Sequence, residues 1–316
     1  TTTDIAALAQ TVDLRQRSQV EEADPDLDAD LAAWHDPSCP RPKVRLLGCP
    51  RVSTGPTAEP TGAVPSRPDH FQTEAVTLLA TRDRGMLAAE FATIMWPGEA
   101  DVAGKAKVRK ALQSVRAVLG QDPATGNDYL VSTFEGRVAR YSIPAALIDA
   151  ELFRRLRVRG TARGADGLQD LWAALDLVDG PPFDGIDADG GRARGGWGWL
   201  VESNARLDFE YQAMIVDTAH TVAVRHLGDG EPEQAARAAH VALSSGAFDD
   251  VPLLDLIAAA QAQDDEAAAE AYARQLVANA GEEDLPPRTF EVLTRLRNRW
   301  REHSDASGSR AAVGGH

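Results

Sequence analysis

Residues 104–120, Gly-Lys-Ala-Lys-Val-Arg-Lys-Ala-Leu-Gln-Ser-Val-Arg-Ala-Val-Leu-Gly, constrain this chain more than any other stretch. Val108, Leu112, Val115 and Leu119 recur at spacings of four, three and four, which a helix gathers onto one face. Ala106, Lys110, Gln113 and Ala117 then fall opposite, flanked by Lys107, Arg109, Ser114 and Arg116. No acid interrupts the run, and Gly120 can take the left-handed conformation that ends helices. Two readings stand. The helix is solvated and happens to be basic, or it is a recognition helix that presents Lys, Arg, Gln and Ser to DNA.

Charge makes the choice matter. The 316 residues carry net −15, which argues against bulk affinity for nucleic acid. The distribution is uneven. Residues 1–42 carry net −6 and residues 143–316 net −12, whereas residues 43–142 hold 13 basic and 10 acidic side chains, net +3. The only net-positive segment is the one containing the acid-free helix.

Read in order, residues 1–42 are an acidic, disordered linker, with the run Glu21–Asp30 solvated. Lys43–Gly48 is strand-like, Arg51–Ser53 can pair beside it, and residues 54–66 are loop. Pro68 is placed to open a helix reaching about Ala80, and a second helix covers about Ala88–Trp96, stopped by Pro97-Gly98. After the acid-free third helix, Tyr129–Ile143 gives two β-rich runs around Glu135-Gly136, a hairpin. Strands, three helices and a hairpin follow in the order of a winged helix over residues 43–143. Arg137 and Arg140 could meet phosphates from the wing.

Beyond Pro144 the chain reads as helical over residues 147–302. Leu147–Arg157 is amphipathic, and Leu168, Leu171, Trp172 and Leu175 keep helical spacing. Trp197–Leu227 carries one long apolar stripe. Pairs at about Pro232–Ser245 with Pro252–Ala262, then Glu266–Ala280 with Pro287–Trp300, suggest a tetratricopeptide-like array. Residues 303–316 are small and polar and are expected to be disordered.

Enzymatic chemistry finds no support. Gly98–Ala106 evokes a phosphate-binding loop, but five residues separate Gly98 and Gly104 where four are needed, and Ala106 stands where Ser or Thr would hold magnesium. No His-Glu-x-x-His or Gly-x-Ser-x-Gly pattern occurs. No catalytic residue, metal ligand or cofactor is therefore expected, and the chain is not read as an enzyme. Cys39 and Cys49 make no disulfide framework, so a cytoplasmic location is the simpler reading. No apolar run approaches the ~20 residues of a membrane span, so no membrane contact is expected of this segment, although a longer parent chain could be membrane-attached.

The order of these elements resembles bacterial transcriptional activator domain proteins, the SARP-type regulators and their relatives. Lys43-Val-Arg-Leu-Leu-Gly48 looks like the family's opening strand, and Phe91-Ala-Thr-Ile-Met-Trp-Pro97 like the Leu-Trp-Pro end of its second helix. Lys107–Gly120 is similar to its recognition helix. Asp149–Phe153, Leu171–Leu175 and Gly180–Phe183 look like the entry to its helical activator domain. The resemblance is strongest to relatives in which this pair of domains ends a long protein carrying LysM segments. The absence of a start Met and the acidic lead-in accord with such a fragment.

The resemblance implies an α+β winged helix, OmpR-like, followed by an all-α tetratricopeptide-like domain, and a transcriptional regulator bound to double-stranded DNA. RNA polymerase and a second copy of the chain are admitted as partners. Lys110 and Gln113 are the base-reading candidates, with Ser114 beside them. Lys105, Lys107, Arg109, Arg116, Arg137 and Arg140 are placed for phosphates. The alternative is a protein-interaction module that keeps the winged helix as a scaffold with little DNA binding.

Overall fold

The computed structural model describes residues 18–55, 70–97, 102–136, 138–186, 197–202, 206–246, 249–280, 286–287, 289–296 and 298. Pro68, the 54–66 loop beyond Gly55, Gly98–Asp101, Arg137 and the 303–316 tail lie outside the described residues, as does the Lys105 side chain. Most of the described chain is helical, with a small sheet region.

The first sheet has the order β2-β1-β6. β1 (Lys43–Arg45) and β2 (Arg51–Ser53) are antiparallel, pairing Val44 with Val52. β6 (Leu147–Ile148) joins β1 in parallel, 104 positions later, pairing Ile148 with Val44. Three helices follow β2: α2 (His70–Ala80), α3 (Ala88–Met95) and α4 (Val102–Leu119). The second sheet, order β3-β5-β4, contains the expected hairpin of β4 (Val131–Glu135) and β5 (Val138–Ser142). The sequence reading missed its third strand, β3 (Met86–Leu87), which pairs Met86 with Tyr141. Glu90 starts α3 by accepting the Leu87 N–H at 2.9 Å, and Phe71 and Phe91 close on Trp96 at centroid distances of 6.0 and 6.2 Å.

The expected boundary near Pro144 is corrected by β6 and by the helix it enters, α5 (Asp149–Ala162). The Asp149 carboxylate accepts N–H bonds from Leu46 at 2.8 Å and Leu47 at 3.0 Å, so it terminates β1 from within α5. The carbonyls of Leu46, Leu47 and Gly48 accept from Phe183, Asp179 and Asp184. The opening strand is therefore built into the segment expected to be a separate domain.

The expectation of a disordered linker over residues 1–42 is also corrected for residues 18–42, residues 1–17 lying outside the described residues. Residues 18–23 are helical, and α1 (Leu27–His35) follows, with Leu27 fully buried and Trp34 nearly so. Lys43 donates to the carbonyls of Trp34 and Asp36, completing the C-terminal end of α1. The acids are spent on arginines. Arg155 holds Asp24 through both Nε and Nη2, and Asp30 at 2.7 Å; Arg159 pairs with Asp28 and Asp170, and Arg163 with Glu21 and Asp170. Burial opposes ionisation of Asp30, yet hydrogen bonds from Arg41 and Arg155 hold its carboxyl below the usual range.

The described helices continue with a 3-10 turn (Gly164–Gly167), α6 (Leu168–Leu175), α7 (Gly198–Glu202) and α8 (Leu207–Gly228). The single helix expected over Trp197–Leu227 is thus two, and Arg206, at φ +36°, stands just before the second. α9 (Pro232–Ser244), α10 (Val251–Ala262) and α11 (Glu266–Ala280) complete the order.

The chain forms two compact units: residues 1–215 with 244–246, and residues 216–243 with 247–316. In the second, Leu253, Leu256, Ile257, Leu276, Leu293 and Leu296 share one core with alanines Ala239, Ala269 and Ala273. Alanine on the facing sides lets these helices approach closely. Asp255 in that unit is buried and meets His220 Nδ1 at 2.9 Å.

Candidate nucleic-acid interface

α4 forms where its spacing places it. Val108, Ala111, Leu112, Val115 and Leu119 are all buried, and each large side chain removed from water contributes about 1.5–3 kcal/mol. Gly120 ends the helix at φ +73°, and its N–H reaches the Arg116 carbonyl at 2.9 Å. The following turn is set by Asp122. Hydrogen bonds from the Ala124 N–H and the Thr125 hydroxyl hold its carboxyl below the usual range. The chain then enters the β4–β5 hairpin, whose Gly136 sits at φ +65°.

The outer face of α4 exposes Ala106, Lys107, Arg109, Lys110, Gln113 and Ala117. Four of the nine candidate residues, Lys107, Arg109, Lys110 and Gln113, therefore share one solvent face.

Three others are engaged within the fold. The Ser114 hydroxyl accepts a hydrogen bond from Gln72 Nε2 at 2.7 Å, which places Ser114 at the seam between α4 and α2. Arg116 is half-buried, with its Nε 2.7 Å from Asp128. Arg140 donates to the Gly85 carbonyl at 3.1 Å, holding the turn before β3. Arg137 and the Lys105 side chain lie outside the described residues.

The helix that backs α4 is fixed on a second side. Glu74 of α2 is buried and accepts the Trp197 N–H at 2.7 Å. Burial raises its carboxyl above the usual range, against the pull of Trp197 and Trp199. The two indoles stack at a centroid distance of 6.0 Å. Gln72 and Glu74 are two residues apart, so they leave α2 in different directions, one toward α4 and one toward Trp197.

Sequence reasoning missed Phe134. It lies in β4, two residues before Gly136, and is 72% exposed. The available signal was register. Phe134 pairs with Ala139, and the residues before it, Ser132 and Thr133, are exposed as well.

No protein-family model matches the chain, and no curated protein matches it. Among solved structures it is similar to Mycobacterium tuberculosis EmbR in complex with low affinity phosphopeptide. The TM-score is 0.55 at 17% identity, covering 87% of this chain and 71% of that one. The likeness shows that the two chains share a fold. At that identity it carries fold alone. Among the described residues, no helix is long and apolar enough to cross a membrane.

Proposed function

We propose that this chain is a DNA-binding transcriptional regulator, cytoplasmic and without an enzymatic role. The observation that carries the reading is the acid-free, exposed face of α4, bearing Lys107, Arg109, Lys110 and Gln113 on a helix whose other face is buried. Lys110 and Gln113 read base edges in the major groove, with Ala106 and Ala117 permitting close approach. Lys105, Lys107 and Arg109 meet phosphates, and Arg137 and Phe134 contribute from the wing. Ser114, Arg116 and Arg140 position these elements rather than touching DNA. The tetratricopeptide-like helices handle activation, dimerisation or contact with RNA polymerase. The fold shared with EmbR, a SARP-family regulator, supports this by analogy only.

Binding-site selection on the full chain from a random duplex pool tests the proposal. Enrichment of one motif, protected in footprinting, is the expected result. A second reading, a winged helix kept as a scaffold for protein contact, is favoured by the internal engagement of Ser114, Arg116 and Arg140. A pool that yields no motif after repeated rounds decides for it.

A further inference from the structure

The turn of residues 81–85, which follows α2, walls an open cleft of about 390 Å³. The opposite side is made by the segment between β5 and β6 and by the first turns of α5. Leu79, Ile143, Leu147 and Leu152 line it and are buried, so they form its floor. Arg82, half-buried, and Arg84, exposed, stand nearer the solvent.

Charge accounting separates these two arginines from the rest of the lining. Asp30 is occupied by Arg41 and Arg155. Asp83 and Glu151 both lie against Arg154, at 3.8 and 2.5 Å. Asp83 and Glu151 thus share the single guanidinium of Arg154. Among the described residues, neither Arg82 nor Arg84 forms an ion pair; with Arg154 they set three cations against the two acids Asp83 and Glu151, so this side of the cleft keeps a net positive charge above an apolar floor.

We propose that this cleft binds a small organic anion, with a carboxylate head held by Arg82 and Arg84 and an apolar body lying on Leu79, Ile143, Leu147 and Leu152. The planar guanidinium fork matches a carboxylate through paired N–H bonds. The volume falls within the range of about 300–1,000 Å³ typical of small-molecule sites. This site does not depend on the DNA reading.

Isothermal titration of the full chain with octanoate, octanamide and inorganic phosphate tests it. Octanoate should bind at a single site, and octanamide at least about tenfold more weakly, because it lacks the charge. The variant R82Q/R84Q should lower octanoate affinity to the octanamide level. Ala146→Phe, which fills the cleft from its wall, should weaken both organic probes. Inorganic phosphate, with no apolar body, should bind more weakly than octanoate. Arg84→Gln alone, at an exposed position where folding is not at stake, should still lower octanoate affinity several-fold. Equal binding of octanoate and octanamide, phosphate binding as tight as octanoate, no octanoate binding, or wild-type affinity in the arginine variants would each overturn the proposal.

Discussion

Gln72 donates its side-chain N–H to the Ser114 hydroxyl at 2.7 Å, tying α4 to α2. A serine that sequence periodicity sets among DNA-facing residues is thereby a structural residue. Ser114→Ala should lower the unfolding free energy by about 1 kcal/mol in denaturant titration and leave duplex affinity within about twofold. Unchanged stability with lost affinity would return Ser114 to the DNA face.

The acidic segment is part of the folded unit. Leu27→Ala should cost about 2–5 kcal/mol, since Leu27 is fully buried. The pairs of Arg155, Arg159 and Arg163 form a network, so stability should also fall as salt rises, and less steeply in Arg155→Met. Equal midpoints for Leu27→Ala and wild type would show the segment to be dispensable.

Asp149 predicts a pH dependence. Burial pushes its carboxyl up to about 7, against the pull of the Leu47, Leu46 and Ala150 N–H groups and of Arg45. The ordinary carboxyl value in an unfolded chain is about 3.9. The folded state thus holds a proton that the unfolded state releases between those values, and the group's contribution to stability is full below about pH 4 and lost as pH rises through about 7. Denaturation midpoints measured from pH 4 to 8 should show this fall in wild type and a flatter profile in Asp149→Asn. An identical slope in the variant assigns the fall to another group.

A fragment ending at Ile143 should not fold cooperatively. It lacks β6 and the Asp149 carboxylate that closes β1, and it loses the 179–184 segment bonded to residues 46–48. A sharp calorimetric transition from residues 43–143 alone would contradict this.

What was legible follows from range. The apolar spacing of α4, the Gly120 stop and the β4–β5 hairpin are local patterns, and each lies where its residues place it. β3 and β6 hold two residues each, too few for alternation to register, and β6 pairs with residues 104 positions earlier in the chain. The acidic run looks solvated because, Arg41 apart, its partners Arg155, Arg159 and Arg163 lie more than 120 positions away. At the interface, helical periodicity separates Lys110 and Gln113 from Val115. It carries no information on Asp128 or Gln72, the tertiary partners that engage Arg116 and Ser114.

The central claim is tested most directly by a salt series on the outer face of α4. Binding of the selected duplex is followed by fluorescence anisotropy for wild type and for the double variant Arg109→Glu with Lys110→Glu, both at exposed positions. The predicted result is a variant that keeps its unfolding midpoint, loses affinity by at least about a hundredfold, and shows a shallower dependence of log affinity on log salt, by about 0.9 for each phosphate contact removed. Wild-type affinity and wild-type slope in the variant would contradict DNA recognition by α4.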